Sequence, residues 1–106
     1  MCGNYLRVYL IKVLLHYWVM QGLTALADPT RQRIVEMLAT GAMSSGDIAR
    51  RFNVSAPAIS QHLKTLRDAK LVRVRAQAQK RIYELDPEGI GALADWIAQL
   101  RSARAS

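Results

Sequence analysis

The chain has 106 residues, which is enough for one domain but small enough that a second subunit would add useful stability. Its formal net charge of +7, from 15 Lys and Arg against 8 Asp and Glu, favours a polyanionic partner. The single cysteine, Cys2, excludes an intramolecular disulfide, and we expect a cytoplasmic protein.

The N-terminal segment is unusually apolar. Residues 5–20 are mostly hydrophobic and are followed by small residues in the position of a signal cleavage site. However, Arg7, Lys12 and His16 interrupt the run, so it lacks the clean apolar segment of a signal peptide or a membrane span. We therefore expect neither secretion nor a membrane partner.

The same segment is predicted to form a long first helix over residues 5–27. A helix that is apolar on most sides is usually buried on most sides, and in so small a chain a partner subunit must supply much of the cover. We interpret residues 1–22 as an apolar helical extension at a dimer contact. A natural start at Met20 is an alternative that the sequence leaves open. The expected dimer contacts of this helix are Leu10, Leu14 and Trp18.

Local signals then predict two further helices. Asp28 and Pro29 suit the N-cap and first position of a second helix, which Gly41 closes. An approximate capping box that begins at Ser44 opens a short third helix, which reaches Arg51.

Ser55 is a suitable N-cap for a fourth helix that reaches Asp68 or Ala69. Its helical spacing places Ile59, Leu63 and Leu66 on an inward face. The third and fourth helices, joined by a short turn, form a helix-turn-helix. The second helix of such a motif typically reads the edges of DNA bases with its N-terminal half. The expected base contacts are Ala56, Pro57, Ser60 and Gln61, of which Gln61 can pair with adenine in a bidentate manner.

Two alternating segments, residues 71–75 and 81–85, predict a β-hairpin whose tip is residues 76–80. A last helix follows Asp86 and Pro87. The predicted fold is therefore mainly α with a small β-hairpin wing, a dimeric winged helix-turn-helix.

The positive charge is concentrated in residues 31–81, whereas residues 82–106 are mildly acidic. Clustered cations neutralise phosphates and position a protein on DNA without reading its sequence. A merely solvated basic surface is the alternative that charge alone leaves open. The expected backbone contacts are Ser55, Arg50, Arg51, Lys64 and Arg67 on the helices and Arg73, Arg75, Lys80 and Arg81 on the wing.

Catalysis is not expected, because the sequence shows no constellation of nucleophile and base. His62 is interpreted as a boundary residue of the fourth helix with a satisfied hydrogen bond.

Three motifs together resemble the ArsR/SmtB family of bacterial repressors: residues 26–31 (LADPTR), residues 60–64 (SQHLK) and Leu71-Val72. The resemblance covers residues 23–100, which we assign to the DNA-binding domain, and leaves 101–106 as a tail. It implies a homodimer that binds a palindrome in double-stranded DNA and is released by a signal. In that family the first and last helices make the dimer interface, which here implies Leu93, Trp96, Ile97 and Leu100.

The resemblance does not extend to metal sensing. Residues 45–49 lack the thiols of the family's arsenic and cadmium sensors, and the last helix offers Asp95 but no His. A site built from Cys2 and His16 across a dimer rests on weak evidence, because no ligand spacing supports it. We therefore expect a sequence-specific repressor without metal or other cofactor. A protein-interaction module is the alternative function, and the nature of any small-molecule effector stays open.

Overall fold

The computed structural model describes residues 2–105, with side chains described for residues 4–103. Its mainly α architecture with an antiparallel hairpin confirms the predicted fold class. The elements in chain order are α1 (Cys2–Ala25), α2 (Pro29–Leu38), β1 (Met43–Ser44), α3 (Ser45–Arg50), α4 (Ala56–Asp68), β2 (Val72–Gln77), β3 (Lys80–Leu85) and α5 (Pro87–Ala105).

Three helices begin at the N-caps that the sequence predicts, namely Asp28, Ser44 and Ser55. In each, the side-chain oxygen accepts a hydrogen bond from the backbone N–H three residues later, at distances of 3.0, 3.1 and 3.3 Å respectively. These bonds satisfy backbone donors that have no partner within the first helical turn. Local chemistry therefore fixes where α2, α3 and α4 start.

The main core lies where α2, α3 and α4 meet the sheet. The inward face of α4 is the predicted one, because Ile59, Leu63 and Leu66 are all buried. Ile34 from α2 and Ile48 from α3 are fully buried beside them. The opposite side of α4 is consequently left toward solvent.

The sheet has three strands in the order β1-β3-β2, and β1 was not predicted. In β1, Met43 pairs with Tyr83 and Ser44 with Ile82. Two residues are too few to show an alternating pattern, so only the distant partner strand reveals them as a strand.

The predicted five-residue hairpin tip is wrong. The strands pair as far as Gln77 opposite Lys80, which leaves only Ala78 and Gln79 in the turn. Ala78 has φ of 57°, the left-handed conformation that two-residue hairpin turns require. The sequence does not signal this turn, because Gly or Asn usually occupies such positions.

Helix α5 is held against the end of α4 by a close backbone approach at Gly89. A Cβ atom at this position would lie 1.9 Å from the Lys70 carbonyl oxygen. Lys70 itself has φ of 63°, and Asp86 N–H donates to the Leu71 carbonyl at 2.9 Å. Only glycine allows α5 to start this near the α4–β2 connection.

Helices α1 and α5 pack together and then extend beyond the core. At Gly22 a Cβ atom would lie 3.1 Å from the Leu93 side chain, so the helices are in close contact there. Farther out, residues 4–17 of α1 are exposed. We call residues 4–19 of α1 and 92–103 of α5 the two-helix arm. With it, the radius of gyration is 16.3 Å, whereas a compact chain of this length has about 13 Å.

Helix α5 continues without a break through residues 101–105, which were expected to belong to a tail. Within the described residues, no single helix is both long enough and apolar enough to span a membrane. Only α1 and α2 taken together meet both conditions, and they are separated by a bend of 109°.

Candidate nucleic-acid interface

Helix α4 carries the four predicted base contacts at its N-terminal end, with Pro57 and Gln61 opposite the core face and Ser60 on its flank. Ala56, Pro57, Ser60 and Gln61 are all exposed. No side-chain hydrogen bond to a described residue engages Ser60 or Gln61; the Gln61 backbone carbonyl accepts from Thr65 Oγ1 at 3.1 Å. The polar groups of the Gln61 side chain are therefore free to meet an external partner.

Helix α4 is fixed to the α1–α2 corner by Arg31. The Arg31 Nε–H donates to the Ala25 carbonyl at 2.6 Å, and its Nη1 lies 3.1 Å from His62 Nδ1. Because a guanidinium only donates, Nδ1 of a neutral His62 must accept. His62 is half-buried, which confirms its predicted boundary position, but no signal in the sequence indicates Arg31 as its partner.

Asp28 completes this corner. Its Oδ2 atom lies 4.0 Å from His62 Nδ1. The backbone N–H of Arg31, which donates to the same carboxylate, lowers the pKa of Asp28 below its usual value. The cap of α2 and the orientation of α4 thus share one polar cluster.

The predicted phosphate contacts on α3 and α4 divide into two classes. Arg50 pairs with Asp47, and Lys64 Nζ lies 3.0 Å from Asp68 Oδ2. Arg51 and Arg67 are exposed, and neither side chain has an ion pair or hydrogen bond with another described residue. Arg51 and Arg67 are therefore the helical cations most available to phosphate.

Asp47 also takes part in the cap of α3. The Ser44 hydroxyl is the main cause of a lowered Asp47 pKa, and the Arg50 guanidinium lowers it further. Asp47 therefore stays ionised at neutral pH and competes with phosphate for Arg50.

The four predicted cations of the wing do not share one face. The register places Arg73, Arg75 and Lys80 on one side of the hairpin and Arg81 on the other. Arg73 Nε and Arg75 Nε lie 3.1 and 3.8 Å from Glu84 Oε1. Within the described chain, Lys80 and Arg81 beside the turn make no ion pair, although Lys80 is close enough to Asp47 to help lower its pKa. The wing therefore offers the positive charge that no carboxylate binds directly at its tip.

The predicted dimer contacts also differ in their surroundings. Leu10, Leu14, Ile97 and Leu100 are each between 50% and 57% exposed. Two others, Trp18 and Trp96, are half-buried, and Lys70 Nζ lies 5.5 Å from the Trp18 ring centroid. Leu93 is buried within its own protomer against Gly22, which leaves it little surface for a partner.

Among the described residues, no three His, Cys, Asp or Glu side chains are close enough together to hold a metal ion. The side chain of Cys2 lies outside the described side chains. His16 lines a groove between α1 and α5 together with Asp95.

Known proteins share this fold and this sequence pattern. A family model described as a helix-turn-helix domain matches residues 26–75. The transcriptional repressor SdpR of Bacillus subtilis is 37% identical over 73 residues, which cover 69% of this chain and 81% of SdpR. The crystal structure of an ArsR family transcriptional regulator is similar with a TM-score of 0.76 and 26% identity, over 85% of this chain and 93% of that one. The chain belongs to the ArsR/SmtB family.

A further ArsR/SmtB relative is the HTH-type transcriptional regulator Rv2034 of Mycobacterium tuberculosis. It is 54% identical over 69 residues, which cover 65% of this chain. The alignment spans 64% of the length of Rv2034. The ArsR/SmtB family consists of DNA-binding transcriptional regulators and not of enzymes, as the sequence predicted.

Proposed function

We propose that the chain is a cytoplasmic repressor that binds a palindromic operator as a homodimer and does not use the family's metal sites. The observation that carries the proposal is the exposed row on α4, where Ser60 and Gln61 present polar side chains that the fold does not use. The names of SdpR and Rv2034, a repressor and a regulator, support the same function.

In this proposal the N-terminal half of α4 enters the major groove. Gln61 reads adenine through its amide, and Ser60 hydrogen-bonds a neighbouring base edge. Ala56 and Pro57 lie against thymine methyl groups, which are the apolar features of that groove. The N-cap residue Ser55, at the start of α4, contacts the DNA backbone.

Phosphate contacts set the position of α4 on the duplex. Arg51 and Arg67 contribute most on the helices because no acidic side chain of the described chain neutralises them. Lys80 and Arg81 contact the backbone or the minor groove at the wing tip. The paired cations contribute less, since each must leave a carboxylate to meet a phosphate; they are Arg50, Lys64, Arg73 and Arg75.

The homodimer forms through the two-helix arm. Two helices cannot cover each other's apolar surface, whereas two such arms can pack as a four-helix layer. Leu10 and Leu14 on α1 and Ile97 and Leu100 on α5 supply exposed apolar surface for this contact. A two-fold dimer places two α4 helices on successive turns of the duplex, and a palindromic operator matches that symmetry.

The proposal is tested by selecting bound DNA from a random pool and measuring the affinity of the selected fragment at rising salt. Four unpaired cations per protomer predict a slope of log affinity against log salt of about −7 for the dimer. Sedimentation of the free protein should give twice the mass of one chain. A pool without an enriched palindrome, or an affinity independent of salt, would favour a protein-interaction module instead.

A further inference from the structure

A groove opens between the two helices of the arm, and no residue of α4 lines it. Its volume is about 320 Å³, at the lower end of the range of small-molecule sites. Nothing in the proposed DNA contact uses it. We call it the arm groove and define it by its lining residues, which are Lys12, Leu15, His16 and Val19 of α1 and Ala92, Asp95, Trp96 and Gln99 of α5.

The arm groove follows from the antiparallel course of the two helices. They are in close contact at Gly22 and Leu93, where a Cβ atom at Gly22 would need the Leu93 side chain to shift. Beyond that contact, lower residue numbers on α1 accompany higher numbers on α5, so that Lys12 and Gln99 line the outer end. His16 and Asp95 lie one helical turn nearer the core, about 6 Å along the helix axes.

The lining combines an apolar wall with three ionisable side chains. Leu15, Val19 and the half-buried Trp96 form the wall. The side chains of Lys12, His16 and Asp95 have no hydrogen bond or ion pair with any described residue. Small-molecule sites typically pair an apolar, aromatic lining with a few polar groups that orient the ligand, and this groove has both features.

We propose that the arm groove binds a small aromatic acid. The ring of the ligand stacks on Trp96 and packs against Leu15. Its carboxylate pairs with Lys12 and accepts a hydrogen bond from Gln99. A hydroxyl or amino group at the para position reaches His16 and Asp95, because a single ring separates two such groups by about one helical turn.

Contacts at the end of α1 connect the arm groove to α4. Helix α1 ends at Ala25, whose carbonyl accepts from Arg31 at 2.6 Å, and Arg31 contacts His62 of α4 at 3.1 Å. A ligand that sets the spacing of α1 and α5 therefore changes the placement of α4. This regulatory step rests on the proposed DNA-binding function, whereas ligand binding itself does not.

Binding is tested by calorimetric titration of the full chain with 4-hydroxybenzoate. We expect one saturable site per chain with a Kd of about 1 mM or tighter. Its neutral analogue 4-hydroxybenzamide should bind at least about threefold more weakly, because it lacks the negative charge that Lys12 recognises. No saturable binding up to about 10 mM, or equal affinities for acid and amide, would overturn the proposal.

Variants locate the site. Lys12→Gln should weaken 4-hydroxybenzoate binding about threefold to fivefold, whereas Arg7→Gln, which removes a cation from the same helix outside the groove, should leave the Kd unchanged. Trp18→Phe leaves Trp96 as the one tryptophan, and its fluorescence should change on titration. Equal losses of affinity for 4-hydroxybenzoate in the Lys12 and Arg7 variants would show that the ligand binds outside the arm groove.

Regulation is measured separately, as DNA affinity with and without saturating 4-hydroxybenzoate. We expect at least a fivefold change, with a reciprocal change in the affinity for 4-hydroxybenzoate when DNA is bound. If the acid binds but the chain does not bind DNA, the proposed function fails and the site stands. If DNA binds but the acid does not, the site fails and the proposed function stands.

Discussion

Replacing Gly89 by alanine should destabilise the fold severely. The new Cβ would lie 1.9 Å from the Lys70 carbonyl oxygen and 2.5 Å from the Lys70 carbonyl carbon, far inside a normal contact of about 3.5 Å. Both obstacles are backbone atoms, so no side-chain rotation relieves the clash and α5 must move by more than about 1 Å. We expect a cost near the upper end of the overpacking range, about 3 kcal/mol.

Thermal unfolding followed by circular dichroism measures this cost. About 3 kcal/mol corresponds to a fall in Tm of more than about 10 °C in a domain of this size. Gly91→Ala is the matched control in the same helix, because its Cβ would meet nothing within 4 Å. The control should raise the free energy of unfolding by roughly 0.5 to 1 kcal/mol. Equal melting temperatures for the two variants would refute the assigned packing of α5.

Three further predictions concern the caps and the cations. Ser55→Ala removes the cap of α4 and should lower the free energy of unfolding by about 1 kcal/mol in denaturant titrations; an unchanged midpoint would contradict the cap. Because the Asp28 pKa is lowered from 3.8, its stabilisation is complete at higher pH and is lost as the pH falls below about 4. Asp28→Asn keeps a capping oxygen that does not titrate, so its free energy of unfolding should fall less than that of the wild type between about pH 5 and pH 3. Parallel curves of unfolding free energy against pH for the two proteins would argue against titration of Asp28 as the cause. Arg67→Ala, which removes one phosphate contact from each protomer, should reduce the salt slope of the dimer by about two units, and Arg75→Ala, already paired with Glu84, by less; the reverse order would reject the division into free and paired cations.

The parts of the fold that the sequence predicts well depend on local signals. The cap residues Asp28, Ser44 and Ser55 act on backbone groups three residues away, so their effect is visible within one turn of sequence. The inward face of α4 follows from helical spacing alone. These two signals are enough to predict that the side of α4 that carries Gln61 faces solvent.

The missed features all depend on residues distant in sequence. Strand β1 exists only through its pairing with Tyr83 and Ile82. The Arg31–His62 contact joins residues 31 positions apart, and no periodicity within either helix implies it. The pairing of Glu84 with two wing arginines likewise needs the strand register, which the wrong hairpin tip obscured.

The central claim is that α4 reads DNA sequence through Gln61. Its most direct test compares the affinities of the wild type and Gln61→Ala for a selected palindrome and for unrelated DNA, with Arg67→Ala as the phosphate control. We predict that Gln61→Ala loses roughly 1 to 3 kcal/mol of discrimination with little change on unrelated DNA, whereas Arg67→Ala weakens both complexes alike. A Gln61→Ala protein that keeps the full affinity ratio between the two DNAs would contradict the claim.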